Sequence, residues 1–338
     1  MRWVSMQSWT RAYNERHKSG RVEYLKLSLR TNRTGWNFPF ACTLSFAVQR
    51  IQRKVEPAMI WDALINDGVT HLSGAPTVMI SLVNHPSARR LPQPVRITVA
   101  ASAPTADLLG KMEALHLMPV HVYGLTESYG PMTRRYQDPS WADLELGDRA
   151  TLMARQGHGF LTADEARVVK LDAEKNVVTS ADGKRLVDVR RDGEELGEIA
   201  LRGNIVMDEY YRDEAATKKT VRSGWFLTGD LAVRHPGGEL QITDRGKDII
   251  VSGGENVSSL AVESTLASHP SILECCVVAR PHTKWGERGH AFVVLKEGKQ
   301  GSISQEDVKQ FCKGKMSGFA IPEWVEIVDE LPKVSGEA

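Results

Sequence analysis

The 338 residues contain no apolar run approaching the roughly 20 residues that a membrane-crossing helix needs, and the N-terminal stretch lacks the apolar core of a secretory signal. Neither a membrane span nor export is therefore expected. Charge of one sign is equally scarce. Lys and Arg number 43 against 42 Asp and Glu, a net +1, which leaves no global field to recruit nucleic acid or an anionic membrane surface. Cysteine is sparse: Cys42, Cys275, Cys276 and Cys312 show no paired metal-ligand spacing, and Cys275 and Cys276 sit within an apolar run. Reduced packing thiols in a reducing compartment are the expectation, with no zinc and no disulfide. The C-terminus does not read Ser-Lys-Leu, so a cytoplasmic location is expected, with an organelle left open.

What is present is an ordinary apolar fraction, 41%, in a chain long enough for about two domains. The charge is unevenly spread. Residues 1–36 carry eight Lys or Arg against Glu15 and Glu23, while the remainder holds 35 basic and 40 acidic residues. This basic head is expected to stand apart from the fold as a disordered arm or a transit peptide. From Pro57 the text alternates in an α/β rhythm: an amphipathic stretch Ala58–Asp67, an extended segment Val95–Ala100, a helix carrying Leu108, Leu109, Met112 and Leu115 on one face, and a short strand Pro119–Tyr123. Between about Arg185 and Thr243 strands and tight turns predict a small β-rich subdomain. After Asp248 a second α/β unit begins. It has a helix from Ser259, strands at Cys275–Ala279 and Phe292–Leu295, a helix capped by Ser304 with Asp307 closing a variant capping box, and a last strand Trp324–Val328.

In open α/β sheets ligands bind beyond the carboxyl ends of strands, which singles out the loops Ala101–Ser102–Ala103–Pro104 and Gly124–Gly130. The run Tyr123-Gly124-Leu125-Thr126-Glu127-Ser128-Tyr129-Gly130 joins an aromatic ring, two glycines, a hydroxyl and a carboxylate. Those are the groups that stack on a base, admit a phosphate close to the backbone, bond its oxygens and hold a hard cation. By spacing alone it could equally be a tight turn. Downstream come Gly224 to Asp230 (GWFLTGD), Asp244-Arg245-Gly246-Lys247-Asp248 and Ser252-Gly253-Gly254-Glu255-Asn256. Taken singly, Asp230 could cap a β-turn, Arg245 could pair with a neighbouring Asp, and Gly253-Gly254 could be a plain loop. His71, His116 and His121 read as packing or surface residues, and His235 as a turn residue.

These four motifs, in this order, resemble the adenylate-forming superfamily of acyl-CoA synthetases. The likeness extends over roughly Val55 to Lys333 through His71–Asn84, Arg202–Met207, Tyr210–Thr217 and Trp285-Gly286-Glu287, and is closest to the medium-chain and plant acyl-activating branch. The resemblance implies an α/β fold: a partial large AMP-binding domain over 37–246, with its β-rich subdomain at about 185–243, and a small α+β C-terminal lid domain over 247–338. It implies ATP or AMP, Mg2+ and coenzyme A as cofactors, and a fatty or aromatic carboxylic acid as substrate. Tyr123 would stack on adenine beside Ala101, Ser102, Ala103, Pro104, Gly124 and Leu125. Thr126 and Glu127 would attend the phosphate, with Glu127 on the metal. Asp230 would accept bonds from both ribose hydroxyls, Arg245 would bond ribose or phosphate, and Lys247 would mark the hinge of the C-terminal domain. Ser252, Gly253, Gly254 and Glu255 would line the pantetheine path.

The sequence also departs from the family. The glycine-rich loop that cradles pyrophosphate is absent from residues 1–34, where Gly20 stands alone, and only Thr34-Gly35-Trp36 remains of the motif that follows it. At the far end, Pro332-Lys333-Val334-Ser335-Gly336 is one residue short of the family's pattern, and Glu337 stands where the catalytic Lys is expected. Impaired ATP-dependent adenylation follows as an expectation. The rival readings are a catalytically silent AMP-binding or interaction module and an incomplete gene product.

Overall fold

The computed structural model describes residues 23–26, 38–52, 54–100, 106–160, 164–173 and 176–332. The loop Ala101–Pro104 and the terminal residues from Lys333, with Gly336 and Glu337, therefore lie outside the described residues.

A seven-stranded sheet runs in the order β2-β1-β3-β4-β5-β6-β7. Its strands are β1 (Glu23–Lys26), β2 (Val48–Ile51), β3 (His71–Gly74), β4 (Val95–Val99), β5 (Leu117–Tyr123), β6 (Thr133–Arg135) and β7 (His158–Gly159). The first five are mutually parallel and the last two antiparallel. The sequence predicts a head standing apart from the fold. That expectation needs correction for four of its residues, because β1 lies between β2 and β3. Its Glu23, Tyr24, Leu25 and Lys26 form no run long enough to be read as a strand, and only the two neighbours' ladders make one of them.

Helices α1 (Phe38–Leu44), α2 (Pro57–Asn66), α3 (Pro76–Val83), α4 (Ala106–Ala114) and α5 (Leu146–Met153) accompany this sheet. Proline at the first helical turn starts α2 and α3, where its missing N–H costs nothing. The apolar stripe of α4 packs as its spacing predicts: Leu108, Leu109 and Met112 join Ile60, Trp61, Leu72, Met79, Leu82, Ile97 and Leu117 in one core. The Trp61 indole N–H donates to the Leu82 carbonyl at 3.1 Å, so the largest core side chain leaves no buried donor unpaired.

A second, antiparallel sheet holds β8 (Arg167–Lys170), β9 (Gly197–Leu201), β10 (Val221–Arg222), β11 (Trp225–Arg234) and β12 (Leu240–Arg245), with α6 (Glu214–Thr220) leading into β10. A third contains β13 (Ile250–Ser252), β14 (Glu255–Val257), β15 (Ile272–His282), β16 (Gly286–Leu295) and β17 (Trp324–Ile327), covered by α7 (Ser259–Ala267) and α8 (Gln305–Cys312). Its own core gathers Ile250, Val262, Leu266, Val277, Val293, Val308, Cys312 and Val325. The Ser304 cap of α8 and its reciprocal bond from Asp307 form as the sequence predicts. Two strands are longer than their apolar runs. The polar tail Arg280–His282 of β15 pairs with Gly286–Arg288 across a tight hairpin, and Thr228-Gly229-Asp230 lies inside β11 rather than in a loop. In both places ladder bonds to a partner extend the strand past the end of the apolar run.

Among the described residues no helix is long and apolar enough to cross a membrane. The thiols of Cys275, Cys276 and Cys312 are pushed up by burial, which keeps them protonated and inert. His71 and His121 are buried, and desolvation lowers them to about 3 and about 4. The sign for His121 is set by the depressed folded value. Its stabilisation is full above the ordinary 6.5 and is lost as pH falls from there through about 4, because only the unfolded chain takes up the proton in that window. Relative to His121→Asn, wild-type stability in urea is expected to fall by on the order of 3 kcal/mol between pH 6.5 and 4. Parallel pH profiles for the two proteins would contradict this.

Candidate functional site

The site is built where β5 ends. Gly124 follows the strand, and a Cβ there would stand 2.1 Å from the Gly130 carbonyl oxygen, so the two ends of the loop touch and only glycine fits. Residues Thr126–Ser128 make one 3-10 turn, closed by Tyr129 in the left-handed region (φ 51). Ser128 is fully buried and holds the loop from within: its Oγ accepts from the Leu125 N–H (2.9 Å) and donates to the Gly130 carbonyl (2.8 Å). With Ser128 turned inward, Thr126 is exposed and Glu127 half-buried.

Tyr123 reaches out of this loop to the second sheet. Its hydroxyl donates to Asp230 Oδ2 at 2.6 Å, across 107 residues of sequence. The ring is only 5% exposed and packs with Met132, Val168, Ile199, Phe226 and Leu240. The sequence reading has this ring open to a base. Here most of it is covered, and the hydroxyl is the end that meets the Asp230 carboxylate. On β11, Gly229 (φ 75) sits in the register shift between Leu227 and Leu231, where the bulge breaks the alternation of the strand. The Gly229 N–H donates to Glu198 Oε1 (2.8 Å) and its carbonyl accepts from Gly246 (2.9 Å). Burial, and after it the neighbouring Asp230 charge, raises the Glu198 carboxyl. Asp230 is buried and pairs across the ladder with Arg245, whose exposed guanidinium Nε lies 3.5 Å from Oδ1.

The β11–β12 pair also leads into the third sheet. Lys247 is exposed in the turn that the Asp248 N–H closes onto the Arg245 carbonyl (2.9 Å). Asp244, a surface partner for Arg245 by sequence, is instead buried and accepts from the Ser259 N–H at 2.6 Å, at the start of α7. Gly253 and Gly254, both with positive φ, form the two-residue turn of the β13–β14 hairpin, and Ser252 and Glu255 pair on either side of it. The Gly253 N–H donates to the Trp285 carbonyl (2.8 Å), and the buried Ser252 Oγ accepts from Arg288 (3.2 Å). The structure thus brings Tyr123, Gly124, Leu125, Thr126, Glu127, Asp230 and Arg245 together around the end of β5. Lys247 sits at the domain junction, and Ser252 to Glu255 are fixed inside the C-terminal unit.

A large cavity, about 720 Å3, lies elsewhere, lined by Ile80, Lys111, Glu263, Cys275, Phe292 and Leu331 among others. It includes none of the motif residues. Sequence reasoning also missed Ser128, Glu198 and Tyr210, whose hydroxyl donates to Glu127 Oε1 at 2.9 Å. Tyr210 lies within a stretch already similar to the family, and that was its only signal. Among the described residues no three His, Cys, Asp or Glu side chains converge on a point that could hold a metal.

The sequence model described as "AMP-binding enzyme" matches residues 6–211, more than half of the chain. The chain belongs to the AMP-binding enzyme family. The model for the AMP-binding enzyme C-terminal domain matches residues 261–336. Its similar relatives include the 2-methylpropanoate–CoA ligase CCL4 of Humulus lupulus, 40% identical over 302 residues, which is 89% of this chain and 52% of that protein. The acetate–CoA ligase CCL3 of the same plant is 39% identical with the same coverage. The peroxisomal trans-cinnamate:CoA ligase of Petunia hybrida is 38% identical over 88% of this chain and 50% of that protein. This AMP-binding enzyme chain spans about half the length of the curated relatives it matches. Among solved structures it resembles o-succinylbenzoate CoA synthetase from Bacillus subtilis in complex with its acyl-adenylate, with TM-score 0.76 and 22% identity over 98% of this chain and 62% of that one. It also resembles ATP-bound MatB from Rhodopseudomonas palustris, with TM-score 0.77 and 23% identity over 98% and 61%. At these identities the structures establish the fold, an α/β AMP-binding enzyme with its C-terminal domain.

Tyr123→Phe removes one hydrogen bond to a buried carboxylate and little else. It is expected to lower unfolding free energy in urea by about 2 kcal/mol. An unchanged midpoint would mean that this bond adds nothing.

Proposed function

We propose that this AMP-binding enzyme chain holds AMP or an acyl-adenylate, together with coenzyme A, as an acid–thiol ligase, and that by itself it forms the adenylate from ATP poorly. The observation that supports the reading is the buried Asp230 carboxylate, bonded by the hydroxyl of Tyr123, the residue that leads into the loop of Thr126 and Glu127. The two oxygens of a carboxylate match the paired hydroxyls of a ribose in number and spacing. Arg245 adds an exposed guanidinium beside it for ribose or phosphate.

Thr126 offers its hydroxyl at the exposed turn. Glu127 fits Mg2+ in the way that cation usually binds, through one carboxylate plus phosphate and water oxygens rather than a protein cage. Bound there, Mg2+ would neutralise phosphate charge. Adenine stacking on Tyr123 requires more of the ring to be uncovered as nucleotide enters. In the thioester step the coenzyme A thiolate attacks the acyl carbon, a C–S bond forms, the C–O bond to phosphate breaks, and AMP leaves. Rotation about Lys247 would present the Ser252–Glu255 hairpin to the thiol arm. Relatives named for 2-methylpropanoate, acetate and trans-cinnamate act on different acids, so the acyl group is left as a carboxylic acid of the fatty or aromatic class.

Glu337, where the resemblance leads one to expect a transition-state Lys, motivates the impaired adenylation. Losing one electrostatic donor costs about 10²- to 10³-fold in rate. Calorimetry with AMP is expected to show binding that Asp230→Ala abolishes. Purified chain given acyl-AMP and coenzyme A is expected to yield thioester faster than chain given acid, ATP and coenzyme A. Binding without thioester from acyl-AMP would favour the silent AMP-binding module, and no AMP binding at all would end both readings.

A further inference from the structure

The loop's own hydrogen bonds run between Leu125, Thr126, Ser128, Tyr129 and Gly130, and none of them engages the Glu127 side chain. The segment that follows the second sheet's β9 supplies the order from 80 residues away. It grips Glu127 at two points: the Met207 N–H donates to the Glu127 backbone carbonyl at 2.7 Å, and the Tyr210 hydroxyl donates to Oε1 at 2.9 Å. Among the described residues none donates to the second oxygen, Oε2. Tyr210 is itself anchored. Its N–H donates to Thr217 Oγ1 (3.0 Å), Thr217 Oγ1 donates to the Asp213 carbonyl (2.8 Å), and the Asp213 carboxylate caps α6 by accepting from the Ala216 N–H (2.9 Å).

We propose that Tyr210 is a positioning residue. Its hydroxyl fixes the Glu127 carboxylate so that the second oxygen is presented to a divalent cation arriving with the phosphates of a nucleotide. The inference rests on the nucleotide reading above and adds to it the device that orients the only protein carboxylate assigned to the metal. Mg2+ tolerates little departure from octahedral geometry at about 2.0–2.1 Å, so a lone carboxylate with free rotamers is a poor ligand and a tethered one a good one. A phenol suits the task. It donates one directional bond, and as a neutral hydroxyl it carries no charge to compete for the cation.

The test titrates ATP into the full chain with and without Mg2+ by calorimetry, and counts bound Mn2+ by electron paramagnetic resonance, for wild type, Tyr210→Phe, Tyr210→Gln and Glu127→Gln. Wild type is expected to bind ATP more tightly with Mg2+. Tyr210→Phe is expected to lose about tenfold of that cation-dependent gain and the matching Mn2+ occupancy, with metal-free ATP affinity unchanged within about twofold. Glu127→Gln should lose the gain altogether, and Tyr210→Gln, which keeps a donor, should recover part of it and serves in place of the Phe variant should that one not fold. Full retention of the gain in Tyr210→Phe while Glu127→Gln loses it would overturn the positioning role and leave the nucleotide reading standing. An equal loss in metal-free affinity would reduce Tyr210 to a structural strut and overturn it too. Wild type that binds neither ATP nor AMP would remove the nucleotide reading itself, and wild type that binds AMP but shows no Mg2+-dependent gain with ATP would overturn the positioning role.

Discussion

The hydrogen bond from the Tyr123 hydroxyl to Asp230 is the contact around which the large domain is arranged. One partner ends a parallel strand of the first sheet and the other lies on a bulged antiparallel strand of the second, so the bond fixes where one sheet stands against the other. Both groups are buried, and the cluster of Met132, Val168, Ile199, Phe226 and Leu240 around the ring excludes the water that would otherwise compete. A buried carboxylate without a donor would be costly, and a buried phenol without an acceptor would be too. Each satisfies the other and the site's geometry follows.

The same strand pair that carries Asp230 also carries the junction to the C-terminal unit. Gly229 takes a conformation that side chains avoid, and Gly246 bonds back to it, so the carboxylate and the turn holding Lys247 are set by one stretch of ladder. Asp244, one residue before Arg245, is buried and ties the ladder to the first residue of α7. Asp230 and the turn holding Lys247 are therefore adjacent in the structure. Arg245 behaves differently. Its exposed guanidinium meets Asp230 at long range and in water, where an ion pair adds little stability. Its value lies in being available to an anion.

The loop after β5 shows how little of a site need be rigid. Ser128, inside, spends its hydroxyl on the loop's own backbone, and Gly124 allows the backbone to cross itself. Those two positions leave Thr126 and Glu127 projecting on the outer side of the turn. Glu127 is then secured by Tyr210, on a segment whose own position depends on a capped helix. Side chains on a loop are ordered here by contacts from other elements, which is how a scaffold keeps such a segment accurate.

The sequence by itself determined the α/β class, the β-rich insert, the C-terminal unit, the Ser304 cap and the four motifs, since periodicity, capping residues and glycine-rich turns are local and act over a few residues. It also pointed to Asp230, Glu127 and Arg245 by type. It did not reveal that Glu23–Lys26 forms a strand, that the Asp230 motif lies within one, that the Tyr123 ring is mostly covered, or that Ser128, Glu198, Asp244 and Tyr210 hold the site in place. Each of those depends on a partner far along the chain: a neighbouring ladder, a second sheet, a helix across a hinge. Only the tertiary structure decides which distant donor meets which carboxylate, because local propensity carries no information about the groups that packing brings alongside.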